Sequence, residues 1–247
     1  MCFHSLANPE IIMSIRYLTG LFLAGLVLGL PKTVQAQLYP QGSLAVIVGF
    51  PQGEFDQKVE NVGFGLDLFG GIGLGRTPVV VGIEGSFLMY GFERRRTPFS
   101  NTIPDVTVEV ETSNSIALGH LVLRLQPSSG PLRPYADGLF GVKYFFTETT
   151  VKDDNFSDRE IASSTNFDDA ALSYGVGGGV DIQVYRGRGG KKVGAVLISA
   201  GARYLFGSEA EYLREGSIER RDGQVFFTTE RSETNILITR LGVTLQF

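Results

Sequence analysis

The chain has 247 residues, with 22 Lys and Arg against 26 Asp and Glu, a formal net charge of −4, one cysteine, 32 glycines and no tryptophan. The acidic balance argues against a nucleic-acid binder. The lone Cys2 rules out an intramolecular disulfide framework.

The first element in chain order is the apolar run at 18–30, LTGLFLAGLVLGL. It is too short to span a bilayer comfortably as a helix. Arg16 precedes it, and Pro31, Lys32 and the small-x-small sequence Val34-Gln35-Ala36 follow. A basic region, an apolar core and a small-residue site describe a secretory signal peptide over 1–36, cut after Ala36. Residues 1–12 do not suit its basic region, and Met13 makes a better start. Cleavage takes Cys2 away and leaves a more acidic mature chain, 37–247, with no cysteine on which to build a lipoprotein. No later apolar run approaches the ~18 residues of a membrane helix.

The mature chain then alternates. The first run is Leu44, Val46, Val48, Phe50; the second is Val62, Phe64, Leu66, Leu68 with Ile72 and Leu74. The third is Val79, Val81, Ile83, Phe87, Met89, and the fourth ends Ala117, Leu121, Leu123, Leu125. The fifth carries Ala136, Phe140, Val142, Tyr144, Phe146, and the sixth Leu172, Tyr174, Val176, Val180, Ile182, Val184. The seventh is Val196, Ile198, Ala200, Ala202, Tyr204, Phe206, and the eighth occupies 237–247, ending LGVTLQF. Period-two segments of about ten residues are the pattern of barrel strands. Three connections are short, at 75–78, 126–133 and 186–192, and four are long and polar, around 51–61, 92–106, 148–169 and 208–234. Short turns alternating with long loops predict an all-β, closed, antiparallel eight-stranded transmembrane β-barrel, an up-and-down meander.

A soluble lipocalin-like barrel would have the same strand count with the apolar face turned inward. The opposite face decides between them. It carries Asp67, Glu84, His120, Arg124, Asp137, Lys143, Asp181, Arg203 and Arg240 among glycines and serines, too sparse in charge for a solvated wall. Aromatics stand near the ends of the apolar face: Phe50, Phe64, Tyr204 and Phe206 at one rim, Tyr185 and Phe247 at the other. Rings of this kind settle at membrane–water boundaries. The pattern is therefore that of an outer-membrane barrel with its charges inside.

The segments RPYADGLFGVKYFF (133–146), YGVGGGVDI (174–182), GARYLFG (201–207) and LGVTLQF (241–247) resemble the OmpA-like family of eight-stranded outer-membrane β-barrels, over essentially all of 42–247. The resemblance implies that the last strand is read by the barrel-insertion machinery. That role would fall on Leu241, Val243, Leu245 and Phe247.

Four features could carry chemistry. The glycine runs at 70–73 and 175–179 lack the strand-to-helix turn of a phosphate loop, because alternation passes straight through them. His120, the mature chain's single histidine, is expected deep in the wall and away from the outer rim, where it could not act on lipid headgroups; an interior hydrogen-bonding role is expected. The interior charges, four positive (Arg124, Lys143, Arg203, Arg240) and four negative (Asp67, Glu84, Asp137, Asp181), are expected to pair, since buried charge is tolerated only when paired. Arg203 and Arg240 on neighbouring runs are expected to share Asp67 and Asp181. Arg94, Arg95 and Arg96, just past the outer end of the third run, suit either a lipopolysaccharide phosphate contact or a solvated loop.

The expected function is non-enzymatic: a monomer with a filled interior that serves envelope integrity or surface interaction through its external loops. A narrow channel for ions or small solutes, and a lipid-modifying enzyme, are the competing readings. The expected partners are outer-membrane lipid, lipopolysaccharide and the insertion machinery; no cofactor and no nucleic acid are expected.

Overall fold

The computed structural model describes residues 38–247 except 60, 76, 101–102, 154–159, 188–192, 215 and 222–223; the expected signal peptide lies outside the described residues. The alternating runs form β1 (Tyr39–Pro51), β2 (Gly63–Gly73), β3 (Val79–Ser100), β4 (Ile103–Leu125), β5 (Leu132–Asp153), β6 (Glu160–Arg186) and β7 (Ala195–Gly207). The last run forms β12 (Ile236–Gln246). A short helix, α1 (Glu54–Lys58), follows β1, and four short strands precede β12: β8 (Glu209–Tyr212), β9 (Ile218–Arg221), β10 (Gln224–Phe227) and β11 (Glu230–Glu233).

Eight strands close into one barrel in the order β1-β12-β7-β6-β5-β4-β3-β2. Every neighbouring pair is antiparallel, and the seam joins β1 to β12 with Leu44 opposite Val243. This is the eight-stranded closed meander expected from the alternation. Closure leaves no sheet edge in the wall to pair with another chain.

Period two sorts the side chains. Leu68, Ile83, Leu121 and Leu241 are each more than 60% exposed, whereas Asp67, Arg124 and Arg240 on the alternate face are buried. The short connections sit together at one end, the turn end. There Gly75 (φ 61°) and Gly130 (φ 120°) hold backbone conformations that other residues resist. The Thr77 hydroxyl tightens the first turn by donating to Leu74 O at 2.6 Å.

The opposite end differs from expectation. Residues 92–106 and 148–169 read as polar loops, yet β3 to β6 run 22, 23, 22 and 27 residues, against 11 to 13 for β1, β2, β7 and β12. The ladders continue past the apolar wall, with Arg94 opposite Glu111 and Val110 opposite Val151. Threonine and valine suit a pleated backbone whether or not an apolar face is present. Hydrophobicity alone therefore stops counting the strand too soon. The stretch at 51–61 contains α1, and that at 208–234 contains two small two-stranded sheets, β8 with β11 and β9 with β10.

Candidate functional site in the barrel interior

An eight-stranded barrel is just wide enough for its own inward side chains. They fill the lumen in three zones. At the turn end a polar network runs among buried apolar side chains such as Val80 and Leu197. Arg133 donates to Gln246 Oε1 at 2.7 Å, to Gln183 Oε1 at 2.8 Å and to Gly130 O at 3.0 Å. Gln126 donates to Asp181 Oδ2 at 2.6 Å, Ser199 donates to the other oxygen of Asp181, and the Ser199 and Thr244 hydroxyls lie 2.7 Å apart.

The middle zone is ionic. The Arg203 guanidinium bonds to Glu84, donates to Asp137 Oδ2 at 2.9 Å and stands 3.7 Å from Asp67. Arg240 meets Asp67 at 2.8 Å and Glu84 at 3.7 Å. Arg124 grips Asp137 with two parallel bonds, 2.7 and 2.9 Å, while its planar head lies over the Tyr135 and Phe69 rings at 4.1 and 4.6 Å. Ser86 donates to Asp67 at 2.9 Å. Three guanidiniums thus balance three carboxylates. Such charges are stable out of water only while each keeps its partners.

This grouping corrects the expected set of four against four. Asp181 binds Gln126 and Ser199 in the polar zone, and the carboxylates shared by Arg203 and Arg240 are Asp67 and Glu84. Lys143 is fully buried and caps backbone instead, donating to Thr234 O and, at 3.4 Å, to Leu205 O. His120 sits opposite Glu84 in the ladder, with Nε2 2.9 Å from the buried Ser173 hydroxyl. Buried polar atoms without a protein hydrogen bond include His120 Nδ1, Arg203 Nε and Arg240 Nε and Nη1 in this zone, and Tyr39 OH and Gln41 Nε2 nearer the turn end.

The third zone, at the ribbon end, is apolar, and the hydrophobic alternation gives no sign of it. Phe55 of α1 points into the lumen and meets Tyr212, Phe145 and Tyr90 edge-on at centroid distances of 5.1, 5.9 and 6.0 Å. Leu88, Ile116, Leu205 and Ile236 belong to the same buried cluster. Tyr90 donates to Leu213 O at 3.1 Å, and the Tyr212 hydroxyl lies 2.7 Å from that of Ser232. Lys58 anchors α1 to Glu230 at 2.7 Å, and Gln52 N donates to Asn235 O at 3.0 Å. Burying one such ring contributes about 1.5–3 kcal/mol. The available signal was an isolated aromatic in each polar stretch, Phe55 in QGEFDQK and Tyr212 in EAEYLRE.

Outside the lumen, Arg94, Arg95 and Arg96 lie within β3, not beyond it. Arg94 pairs with Glu109 at 2.7 Å and with Glu111, Arg95 with Glu93, and Arg96 with Glu109 at 3.9 Å. Leu241, Val243, Leu245 and Phe247 face outward along the seam, and Phe247 N donates to Pro40 O at 2.9 Å. The outward aromatics outnumber the expected rims. Phe87, Phe92, Phe140, Tyr144 and Tyr174 join Phe50, Phe64 and Phe206 on the outer wall. Tyr174 stacks on Phe206 at 5.4 Å and Tyr144 on Phe146 at 5.7 Å.

No protein-family profile matches the sequence, and neither does any curated protein. Solved structures do. Neisserial surface protein A is similar at 13% identity and a TM-score of 0.36, over 85% of this chain and 97% of its own. The attachment invasion locus protein of Yersinia pestis is similar at 13% identity and a TM-score of 0.34, over 85% and 98%. A major outer membrane protein of Thermus thermophilus is similar at 14% identity and a TM-score of 0.37, over 84% and 99%.

Proposed function

We propose that this chain is a non-enzymatic integral protein of an outer membrane, with a closed lumen, acting in envelope integrity or in surface contacts through its long ribbons. One observation carries the reading: a closed barrel whose charges are inside and whose outer wall is an unbroken apolar belt. Monomeric soluble proteins rarely expose contiguous apolar patches beyond a few hundred Å². Residues such as Leu44, Leu66, Ile83, Leu123, Val142, Val176, Ile198 and Val243 surround the whole barrel, each well exposed. Hydrocarbon is the solvent that suits this wall, and a closed barrel is one of the two structures that satisfy every backbone group there.

The polar filling and the aromatic stopper favour a structural role over a channel. A Ser–His pair buried inside the wall, as His120 and Ser173 are, offers a lipid substrate no approach. The polarity of the ends follows from their lengths: short turns face the periplasm and long ribbons face out. The signal peptide over 1–36 and recognition of the Phe247-terminated strand by the insertion machinery belong to the same reading. The test is fractionation of the expressed protein. It should co-sediment with outer membranes and show heat-modifiable mobility, and a product released in soluble form from the periplasm would overturn the reading.

A further inference from the structure

The short helix α1 hangs between β1 and β2, which pair directly with each other, and among the described residues it supplies no rung to the ladders of the wall. Five residues cannot hold a helix in water on their own. Its buried side chains are Phe55 and, one turn on, Val59, whereas Glu54, Asp56 and Gln57 face solvent. The chain enters α1 through the exposed Gly53, whose φ of 64° lies in the left-handed region that favours glycine. No side chain caps the first turn. The stopper is therefore carried on a joint that the backbone restricts least.

The contacts that seat α1 outside the lumen are mostly ionic. Lys58 meets Glu230 of β11 at 2.7 Å, with 41% of the lysine side chain exposed. Arg214 stands 3.7 Å from the other oxygen of Glu230, and Glu233 N donates to Glu54 Oε2 at 3.4 Å. Glu230 lies opposite Tyr212 in the β8–β11 ladder, and the Tyr212 ring meets Phe55 edge-on. One ion pair thus ties the element that bears Phe55 to the sheet that bears Tyr212. Beneath them Tyr90, Phe145, Leu88, Ile116, Leu205 and Ile236 line a cup. The cup is blind, because the ionic layer of Arg203, Arg240, Asp67 and Glu84 closes its floor.

We infer that α1 is a lid over this aromatic cup, hinged at Gly53 and latched by Lys58 and Glu230, which lifts Phe55 out of the mouth without opening any strand pair of the barrel. An exposed ion pair shifts an equilibrium by a factor of about five at most. The Phe55 contacts therefore keep the lid mostly shut, and the latch sets how often it lifts. The open state presents a receptor cup and not a pore. Such a lid goes beyond the membrane reading above and works whichever solvent surrounds the wall.

Cys2 is the sole cysteine of the chain, so on a Cys2→Ser background a single introduced thiol reports alone. Val59→Cys puts the thiol on the buried face of α1, Gln57→Cys on its exposed face, and Ala45→Cys inside the barrel wall. Each refolded protein is labelled with a neutral maleimide. The rate at Val59→Cys relative to Gln57→Cys reads how often the lid lifts. Lys58→Glu or Glu230→Lys should raise that ratio several-fold, and the two together should bring it most of the way back, with Ala45→Cys slow in every variant. An unchanged ratio in both single reversals would overturn the latch. A doubly reversed protein as open as the single variants would overturn the pairing. Labelling of Ala45→Cys that quickens in step with Val59→Cys would overturn the lid, because the opening would then belong to the barrel itself.

Discussion

The lumen is closed twice, by opposite chemistry. In the middle, Arg124, Arg203 and Arg240 are locked to Asp67, Glu84 and Asp137 by residues that all belong to barrel strands. At the ribbon end, Phe55 and Tyr212 come from segments between barrel strands and close the mouth by apolar contact with Tyr90 and Phe145. The ionic layer is a property of the wall itself. The stopper is added to it from outside the strand ladder. Damage to the first should cost the whole barrel, and damage to the second should first cost the seal.

The largest effect should come from Arg203→Ala. Removing one partner of a buried pair costs about 3–5 kcal/mol because the survivors stay charged, and here Glu84 and Asp137 would both lose a bond. The urea midpoint of the refolded barrel measures it; an unchanged midpoint would mean that the layer is not the wall's keystone. Next comes Phe55→Ala, at about 3 kcal/mol if the vacated space stays empty. With two closures in series, planar-bilayer recordings should show no steady conductance for the wild type or for either variant, and openings only when both changes are combined. Steady conductance from Phe55→Ala alone would make the stopper the sole barrier.

Smaller still is Arg95→Ala, which breaks an exposed pair with Glu93 and should move the same midpoint by no more than about 1 kcal/mol. The last prediction concerns acid. The Lys58 ammonium bonded to Glu230 holds that carboxyl below the usual carboxylate range, and Arg214 helps. A depressed carboxyl contributes above its unfolded value, and the contribution is lost as the pH falls through its folded value. Amide exchange in α1 should therefore quicken below the ordinary carboxylate range while exchange in β7 and β12 does not change.

The unequal legibility of the molecule has a physical cause. Alternation exposed the eight strands and put each charge it assigned to the interior on the correct face, because the face is a local property of period two; Arg133, read as part of a turn, lies in the lumen as well. Partner choice is not local. Arg203 on β7 reaches Glu84 on β3, four places round the barrel, and which residues meet across a lumen depends on tilt and stagger that the sequence does not display. Asp181 reads as a partner of the guanidiniums for that reason, although Gln126 and Ser199 hold it. The stopper escapes the sequence for a different one: Phe55 and Tyr212 act singly, and a single aromatic has no periodicity to read.

The seam carries a consequence for time. Arg240 on the last strand donates to the Ser43 hydroxyl on the first at 3.1 Å, and the two residues are 197 positions apart in the chain. Contacts between such distant residues form late and slowly, because the entropy of joining the ends is lost before any bond repays it. The same seam must break before the wall can open, and along most of β1 it is a ladder of backbone bonds. A barrel joined in this way is slow to be born and slower to die: its persistence is set by an unfolding rate more than by an equilibrium.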